Sequence, residues 1–406
     1  MRETALVQPE TINGALLLAR AKALAPTLSA QSARNETLGQ LSADTITALH
    51  DGGLFQMLIP ACFGGAEVDP VEAMRIFEAV SYADGSTGWV LMATQICTGA
   101  AAAYLEPATA KELFGKTTPL VAGQGAPNGQ AIVEGNGFRL TGKWGYASGL
   151  KHAQYIHTGA VVIENGAPRL IPGTRQPDYR TFIVPVGEAQ LDGNWDVLGL
   201  KATGSIDYAI TNVFVPETYT HSPSTTVPLQ GGNFFRLGLL AMTSIGHSGF
   251  ALGIGRRALD ELAALMQRKN PRRGFLPPVA ETENFQEGFG AAEAKYRAAR
   301  AFVYESWEEI RDTLERGDPM TTRQMTLSRL ALNHITSTVA DICTFAYRMG
   351  GGVALRESTL QRCLRDMFAG TQHFLTTPTV LRECGRELAG LADGKVWTLL
   401  GLVDKA

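Results

Sequence analysis

The stretch Gly142-Lys143-Trp144-Gly145-Tyr146-Ala147-Ser148-Gly149 lies in the middle third of the chain, where the residue pattern changes from helical to β-rich. From about Pro119 to Pro216, short β-rich runs are separated by favoured two-residue turns such as Asn136-Gly137 and Asn165-Gly166. No helix-length pattern lies between these runs. We therefore predict an antiparallel sheet, arranged as a small barrel or sandwich.

Helical patterns flank this region on both sides. Ser42 is a suitable N-cap, and Asp69-Pro70-Val71-Glu72 combines a cap, a proline at the first helical position and a glutamate for a capping box. After Asn233 the helical period returns in segments long enough for a bundle. We predict a mostly α, α+β protein with an N-terminal helical domain (1–118), a middle antiparallel β-barrel domain (119–232) and a C-terminal four-helix bundle (233–406).

The composition argues against several classes of protein. The 406 residues carry a net charge of −3 and only 18% are charged, which disfavours a nucleic-acid binder and a disordered chain. The five cysteines are odd in number and scattered, so they indicate neither a disulfide framework nor a zinc site, and a reducing cytoplasm fits best. The sequence has neither an uninterrupted apolar span of about 18 residues nor a signal-peptide core, and we expect no membrane association.

Two apparent motifs carry little weight. Gly253-Ile254-Gly255-Arg256-Arg257-Ala258 matches a dinucleotide fingerprint, but it lies inside a helical run, where small residues suit a close helix crossing. The seven histidines show no spacing typical of metal ligands, so we predict no metal site.

Four stretches carry residues suited to cofactor chemistry. They are Gly142 to Gly149, Leu198-Gly199-Leu200-Lys201-Ala202-Thr203-Gly204-Ser205, Arg272-Arg273-Gly274-Phe275, and the region from Met349-Gly350-Gly351-Gly352 to Leu364-Arg365-Asp366. Together, and in this order, they resemble segments of the acyl-CoA dehydrogenase superfamily over nearly the whole chain. The resemblance implies that superfamily's fold, with the three domains given above.

The resemblance also implies a flavin site. A flavin ring needs an aromatic or apolar face and fixed hydrogen-bonding groups, and its phosphates need guanidinium or backbone N–H donors. By resemblance, Trp144 packs on the ring, Ser148 binds its polar edge, and the arginines reach a neighbouring subunit's cofactor. The residues assigned to the cofactor are Trp144, Ser148, Thr203, Ser205, Arg272, Arg273, Phe275, Gly350, Gly351 and Gly352.

The residues after Arg365-Asp366 distinguish between branches of the superfamily. Many acyl-CoA dehydrogenases have a glutamate there that removes the α-proton of the thioester, whereas this chain has Gln372-His373-Phe374. The alternative position for this base, between Phe234 and Phe250, also contains no carboxylate. Direct dehydrogenation of an acyl-CoA therefore lacks a visible base.

His373 and the Ala147-Ser148-Gly149 segment are similar to those of two-component flavin-dependent monooxygenases, the group D hydroxylases. These enzymes take reduced FMN or FAD from a separate flavin reductase and form a C4a-hydroperoxyflavin with O2. The resemblance implies that Ser148 and His373 are catalytic, with His373 taking a proton from a small aromatic or amine substrate near its reference pKa of about 6.5. It also implies a homotetramer.

One position departs from the related aromatic hydroxylases. Gly85-Ser86-Thr87-Gly88-Trp89-Val90 resembles their segment, but Cys97 stands where they have a second histidine. We predict a substrate pocket of Trp89, Cys97 and His373, and N-hydroxylation, S-oxidation and oxidation of a larger ring stay open. The alternative function is a dehydrogenase or oxidase of this fold with bound FAD. A third is a binding protein without catalysis.

Overall fold

The computed structural model describes residues 12–268, 277–399 and 401–404. The N-terminal helices are α1 (Gly14–Leu38), α2 (Ala43–Asp51), α3 (Pro70–Ala83), α4 (Gly85–Tyr104) and α5 (Pro107–Phe114). Both predicted helix starts are confirmed. The Ser42 side chain accepts a hydrogen bond from the Thr45 N–H, and Asp69 and Glu72 form a reciprocal capping box with Pro70 in the first turn.

The middle region forms one sheet of eight strands. They are β1 (Val121–Glu134), β2 (Gly137–Ala147), β3 (Tyr155–Glu164), β4 (Ala167–Pro168), β5 (Tyr179–Pro185), β6 (Ala189–Leu191), β7 (Ile206–Pro216) and β8 (Thr220–His221). The order is β6-β7-β2-β1-β3-β5-β8, and β4 pairs with β3. Phe138 of β2 and Phe182 of β5 meet edge to face at 5.5 Å although β1 and β3 lie between their strands, so the sheet curves around its core.

The sheet is not wholly antiparallel as predicted. β1 and β3 pair in parallel, with Val121 opposite Tyr155, while the other strand pairs are antiparallel. No crossover helix is needed because β2 returns the chain to the end of the sheet where β1 begins. The absence of a helical pattern between strands therefore did not exclude a parallel pair.

The C-terminal helices are α6 (Gly238–Gln267), α7 (Glu283–Glu315), α8 (Thr322–Leu355), α9 (Thr359–Gly370) and α10 (Pro378–Leu388), followed by the hairpin β9 (Lys395–Thr398) and β10 (Gly401–Asp404). Helices α6 to α9 pack together as the predicted bundle, and α10 packs on α8. The segment 233–267 is apolar enough for a membrane span, but 83% of its apolar window is buried inside the protein, as in a core helix.

Glycines allow α6 to approach the N-terminal helices closely. A Cβ on Gly253 would lie 2.5 Å from the Glu78 carbonyl oxygen of α3, and one on Gly249 would lie 2.9 Å from that of Met74. The predicted helix crossing is therefore confirmed, and the dinucleotide reading is excluded by the uninterrupted helix. Because the N- and C-terminal helices share one core, the domain limits stay predictions.

Candidate active site

Three hydroxyl groups form a hydrogen-bonded chain where β2 ends and β7 begins. Ser148 Oγ lies 2.7 Å from Ser205 Oγ, which lies 2.6 Å from Thr203 Oγ1. The Thr203 hydroxyl donates to the Leu200 carbonyl at 2.8 Å, which uses its only proton. Ser205 therefore donates to Thr203 and Ser148 donates to Ser205. The hydroxyl proton of Ser148 is thus used in the bond to Ser205, so the Ser148 oxygen can only accept hydrogen bonds from other groups.

The loop that carries Thr203 and Ser205 is anchored to α9. The Leu200 N–H donates to Asp366 Oδ1 at 2.6 Å, and an Arg365 guanidinium nitrogen donates to the Leu198 carbonyl at 3.1 Å. Gly199 lies so close to the backbone of Arg365 that a Cβ would meet its carbonyl oxygen at 1.9 Å. Leu200 itself has a φ of 54°, a left-handed value that costs energy in a leucine. These contacts hold the loop in a conformation that it would not favour alone.

Trp89 of α4 joins the hydroxyl chain to a group of aromatic side chains. Its Nε1–H donates to Ser148 Oγ at 3.0 Å. The Trp89 ring meets His247 and Phe250 edge to face, each at a centroid distance of 4.9 Å, and it lies 6.1 Å from His373. Asp84 fixes the start of α4 by accepting the Thr87 N–H at 2.9 Å. The predicted residues Trp89, Ser148 and His373 therefore do come together.

His247 and His373 form a pair with complementary hydrogen-bonding roles. Their ring centroids are 4.0 Å apart. His247 Nδ1 faces the Thr243 carbonyl at 2.9 Å and must carry the proton there, so its unpartnered Nε2 has a free lone pair. His373 Nδ1 accepts the Leu375 N–H at 3.4 Å, so its Nε2 carries the proton. The pair presents one acceptor, from His247, and one donor, from His373.

Burial keeps both imidazoles neutral. It lowers the pKa of His247 to about 4, against a small opposing effect of the Thr243 carbonyl. Burial, and to a lesser degree the neighbouring His247, hold the pKa of His373 well below its ordinary value. A base for a substrate proton must be unprotonated at neutral pH, and both rings meet that condition.

Sequence reasoning missed His247 and Phe250. The segment from Phe234 to Phe250 lacks a carboxylate, but His247 lies in it, among the small residues Gly246, Ser248 and Gly249. A polar ring on an otherwise apolar helix face was the signal that could have identified it.

The predicted role of Trp144 is not supported. Trp144 is 1% exposed, stacks on Tyr208 at 5.3 Å and donates from Nε1 to the Gly159 carbonyl, so neither face of its ring is free for a flavin. Two residues further, Tyr146 is 45% exposed and lies 5.4 Å from Trp195. Trp195 Nε1 donates to the Leu200 carbonyl at 3.1 Å, which places this aromatic pair beside the hydroxyl chain.

The other predicted residues lie away from this group or outside the described residues. Gly350, Gly351 and Gly352 lie near the end of α8, where Gly351, with a φ of 53°, forms a turn that interrupts the helix. Cys97 lies on α4 two turns beyond Trp89, beside Gly123, and burial raises the pKa of its thiol to about 12, so the thiol stays protonated at neutral pH and cannot accept a substrate proton. Arg272, Arg273 and Phe275 lie outside the described residues.

Comparisons with known proteins identify the family of the chain. The model of the acyl-CoA dehydrogenase C-terminal domain matches residues 245–378, and that of the N-terminal domain matches residues 19–117. The indole-3-acetate monooxygenase of Pseudomonas putida is 32% identical over 357 residues, which are 86% of this chain and 87% of that protein. The oxygenase subunit HsaA of a flavin-dependent monooxygenase from Rhodococcus jostii (strain RHA1) is 31% identical over 198 residues, 48% of this chain and 50% of that protein.

A solved structure extends the likeness to the fold of almost the entire chain. XiaF from Streptomyces sp., in complex with FADH2 and glycerol, superposes with a TM-score of 0.85 at 21% identity and covers 93% of this chain and 96% of its own. The predicted fold class and monooxygenase function are confirmed, and the dehydrogenase alternative is not supported. The chain belongs to the acyl-CoA dehydrogenase superfamily and is an oxygenase of its flavin-dependent monooxygenase branch.

Proposed function

We propose that this oxygenase uses a reduced flavin and O2 to oxygenate a small aromatic substrate with a ring N–H or phenol O–H group, such as indole-3-acetate. The observation that carries this proposal is the free lone pair of His247 Nε2 beside Trp89 and His373. An acceptor there can accept a hydrogen bond from the ring substituent and so make the aromatic ring more nucleophilic. The neighbouring His373 N–H can donate to a substrate oxygen.

A reduced flavin fits the hydroxyl chain. Reduced flavin carries an N–H at N5, whereas oxidised flavin has a lone pair there. Ser148 already donates to Ser205, so its oxygen suits an N–H and not a second acceptor. When bound, the flavin supplies the two electrons that activate O2. The aromatic pair Tyr146 and Trp195 would pack on the flavin ring, which is the role predicted for Trp144.

The choice between FMN and FAD depends on the phosphate end of the site. The Gly350 to Gly352 turn offers exposed backbone next to the α9 start, and it suits the phosphates of either cofactor. We propose, as the resemblance implied, that the arginines at 272 and 273 reach a neighbouring subunit's cofactor.

We further propose a cytoplasmic homotetramer supplied by a flavin reductase. Relatives are named as oxygenase subunits, which implies a separate reductase. Leu355, Leu381 and Leu391 are 68%, 46% and 69% exposed near the C-terminal bundle. A groove of about 550 Å³ lies between α7, α8 and α10, and Leu381 lines it. Apolar surface of this kind suits contact with another copy of the chain.

The proposal is tested by mixing the purified protein without oxygen with photoreduced FMN or FAD and then adding air and aromatic acids. We expect tight binding of the reduced flavin, weak binding of the oxidised form and an oxygenated product from indole-3-acetate or a phenolic acid. Tight binding of only oxidised FAD, which acyl-CoA then bleaches without oxygen, would contradict the proposal.

A further inference from the structure

A second set of buried polar side chains lies between the sheet and α4. His157 of β3 is 1% exposed, and neither of its ring nitrogens has a hydrogen-bond partner. His221 of β8 is 6% exposed, and its Nε2 also has none. Thr181 of β5 pairs with His221 in the sheet, and its buried hydroxyl is likewise unpartnered. We call these three residues the sheet histidine group.

The group is compact and faces one helix. The His157 and His221 rings meet edge to face at 5.7 Å. The ring of Tyr104 in α4 lies 5.5 Å from the His221 ring. The backbone carbonyl of Cys97 in the same helix lies near His157, where it opposes the effect of burial on the pKa of that ring. Cys97 and Tyr104 are seven residues apart, which places them on one face of α4. The group therefore lies against the part of α4 that follows Trp89.

Space is open beside His157. A Cβ added to Gly125 of β1 would meet only His157 Nε2, at 3.9 Å. Gly125 is itself partly exposed, so this space is not filled by packed side chains. Most buried polar groups in proteins have a partner, and a set without one beside open space is suited to a ligand.

The hydrogen-bonding roles define the kind of ligand. His221 Nδ1 faces the Ser222 carbonyl at 3.0 Å and carries the proton, so His221 Nε2 is an acceptor. Burial lowers the pKa of His221 to about 4 and that of His157 to about 3, so both rings are neutral and His157 offers one acceptor and one donor. Such a group binds a neutral N–H or O–H donor better than an anion. Within the described ranges, no group of three His, Cys, Asp or Glu side chains is placed to hold a metal ion.

We propose that the sheet histidine group binds a second hydrogen-bond-donating substituent of the aromatic substrate, such as a phenol O–H, apart from the group whose proton faces His247. This inference rests on the proposed function and adds a recognition site to it. Cys97 follows Trp89 by eight residues, about 12 Å along α4, so the group contacts the end of the substrate or a substituent directed away from Trp89.

The test compares the binding of two acids that differ only in the donor. 5-Hydroxyindole-3-acetate and 5-methoxyindole-3-acetate, which differ in the 5-substituent and keep the ring N–H, are equilibrated without oxygen with the protein and reduced FMN, and binding is measured by equilibrium dialysis. We expect the wild-type protein to prefer the unmethylated acid about tenfold. His221→Phe and His157→Phe should reduce this preference below about threefold, whereas His221→Gln, which keeps an acceptor, should retain most of it.

The control is His50→Phe, because the His50 side chain is 78% exposed on α2. Reduced-flavin affinity should be unchanged in all variants, and His157→Leu replaces the phenylalanine variant if the latter does not fold. Equal binding of the two acids by the wild type, binding of neither, or phenylalanine variants that keep the preference would overturn the inference. If the wild type nevertheless oxygenates the acids, only this inference fails; if it oxygenates none, the proposed function fails.

Discussion

The backbone N–H of Leu200 donates to Asp366 Oδ1 at 2.6 Å, and this bond joins α9 to the loop before β7. The Leu200 carbonyl in turn accepts from the Thr203 hydroxyl, which leads through Ser205 to Ser148. Asp366 also lies seven residues before His373. One buried carboxyl therefore links the hydroxyl chain to the segment that carries a histidine of the site.

Removing the Asp366 acceptor should loosen the hydroxyl chain. In Asp366→Ala the Leu200 N–H loses its partner in a buried position, which should cost about 1–3 kcal/mol of unfolding free energy. Reduced-flavin affinity should fall together with stability, whereas Asp366→Asn keeps an acceptor and should retain most of both. Urea unfolding and flavin titration measure these effects. Full reduced-flavin affinity in the alanine variant would show that the link is not needed for the site.

The same carboxyl should affect how stability depends on pH. Burial, and next the charge of Asp84, raise the pKa of Asp366 to about 7, from 3.8. The folded protein then holds a proton that the unfolded chain loses, so this stabilisation is fully present below about pH 4 and is lost as the pH rises through 7. Asp366→Asn should remove this contribution, which amounts to about 1.4 kcal/mol per pH unit between pH 4 and 7.

The buried histidines have the opposite effect on the pH dependence of stability. Burial lowers the pKa of His221 and His247 to about 4, from 6.5. Their stabilisation is present above pH 6.5 and is lost as the pH falls toward 4. The Asp366→Asn variant lacks the Asp366 contribution that offsets the histidines. Its stability should therefore fall more steeply than that of the wild type as the pH is lowered. Urea unfolding at pH 5, 6 and 7 tests this, and identical slopes would contradict the protonation assigned to Asp366.

The direction of the hydroxyl chain should determine which flavin redox state is preferred. In Thr203→Val the Ser205 proton loses its acceptor, so the chain can reverse and Ser148 can donate outward. The ratio of oxidised to reduced flavin dissociation constants should fall at least fivefold in this variant. Thr98→Val is the matched control, because that buried threonine bonds to the Thr94 carbonyl in α4. An unchanged ratio in Thr203→Val would mean that the chain does not select the redox state.

The two histidines of the site should differ in their effects. His247→Asn removes the free acceptor and should lower the rate of substrate oxygenation by about 10²-fold or more, with reduced-flavin affinity changed less than threefold. His373→Asn removes a donor and should affect substrate affinity more than the rate. Single-turnover product formation and substrate titration separate these outcomes. The reverse result would assign the base to His373, as the sequence first indicated.

Local features could be predicted from the sequence. The Ser42 and Asp69 caps depend on residues within one helical turn, and Asn165-Gly166 adopts the predicted turn with φ values of 51° and 80°. The glycine-rich crossing of α6 was also visible because small residues have few other roles inside a helix.

Features that depend on distant partners could not be predicted. The parallel pairing of β1 with β3 depends on which edge of β1 is free after the hairpin forms. Trp144 is buried because it stacks on Tyr208 of β7 in the core of the sheet, whereas Ser148 lies just beyond the end of β2, and residue order alone does not separate these two environments. His247 reaches the site only because α6 packs on α4.

The central claim is tested most directly by oxygen-isotope incorporation. The protein is supplied with NADH, a flavin reductase and FMN or FAD under ¹⁸O2, with indole-3-acetate and phenolic acids as substrates, and products are examined by mass spectrometry. If the protein is a monooxygenase, the product carries one ¹⁸O atom from O2. This product forms only when reduced flavin is supplied. Oxidation of these substrates without ¹⁸O in the product, or acyl-CoA dehydrogenation under the same conditions, would contradict the account.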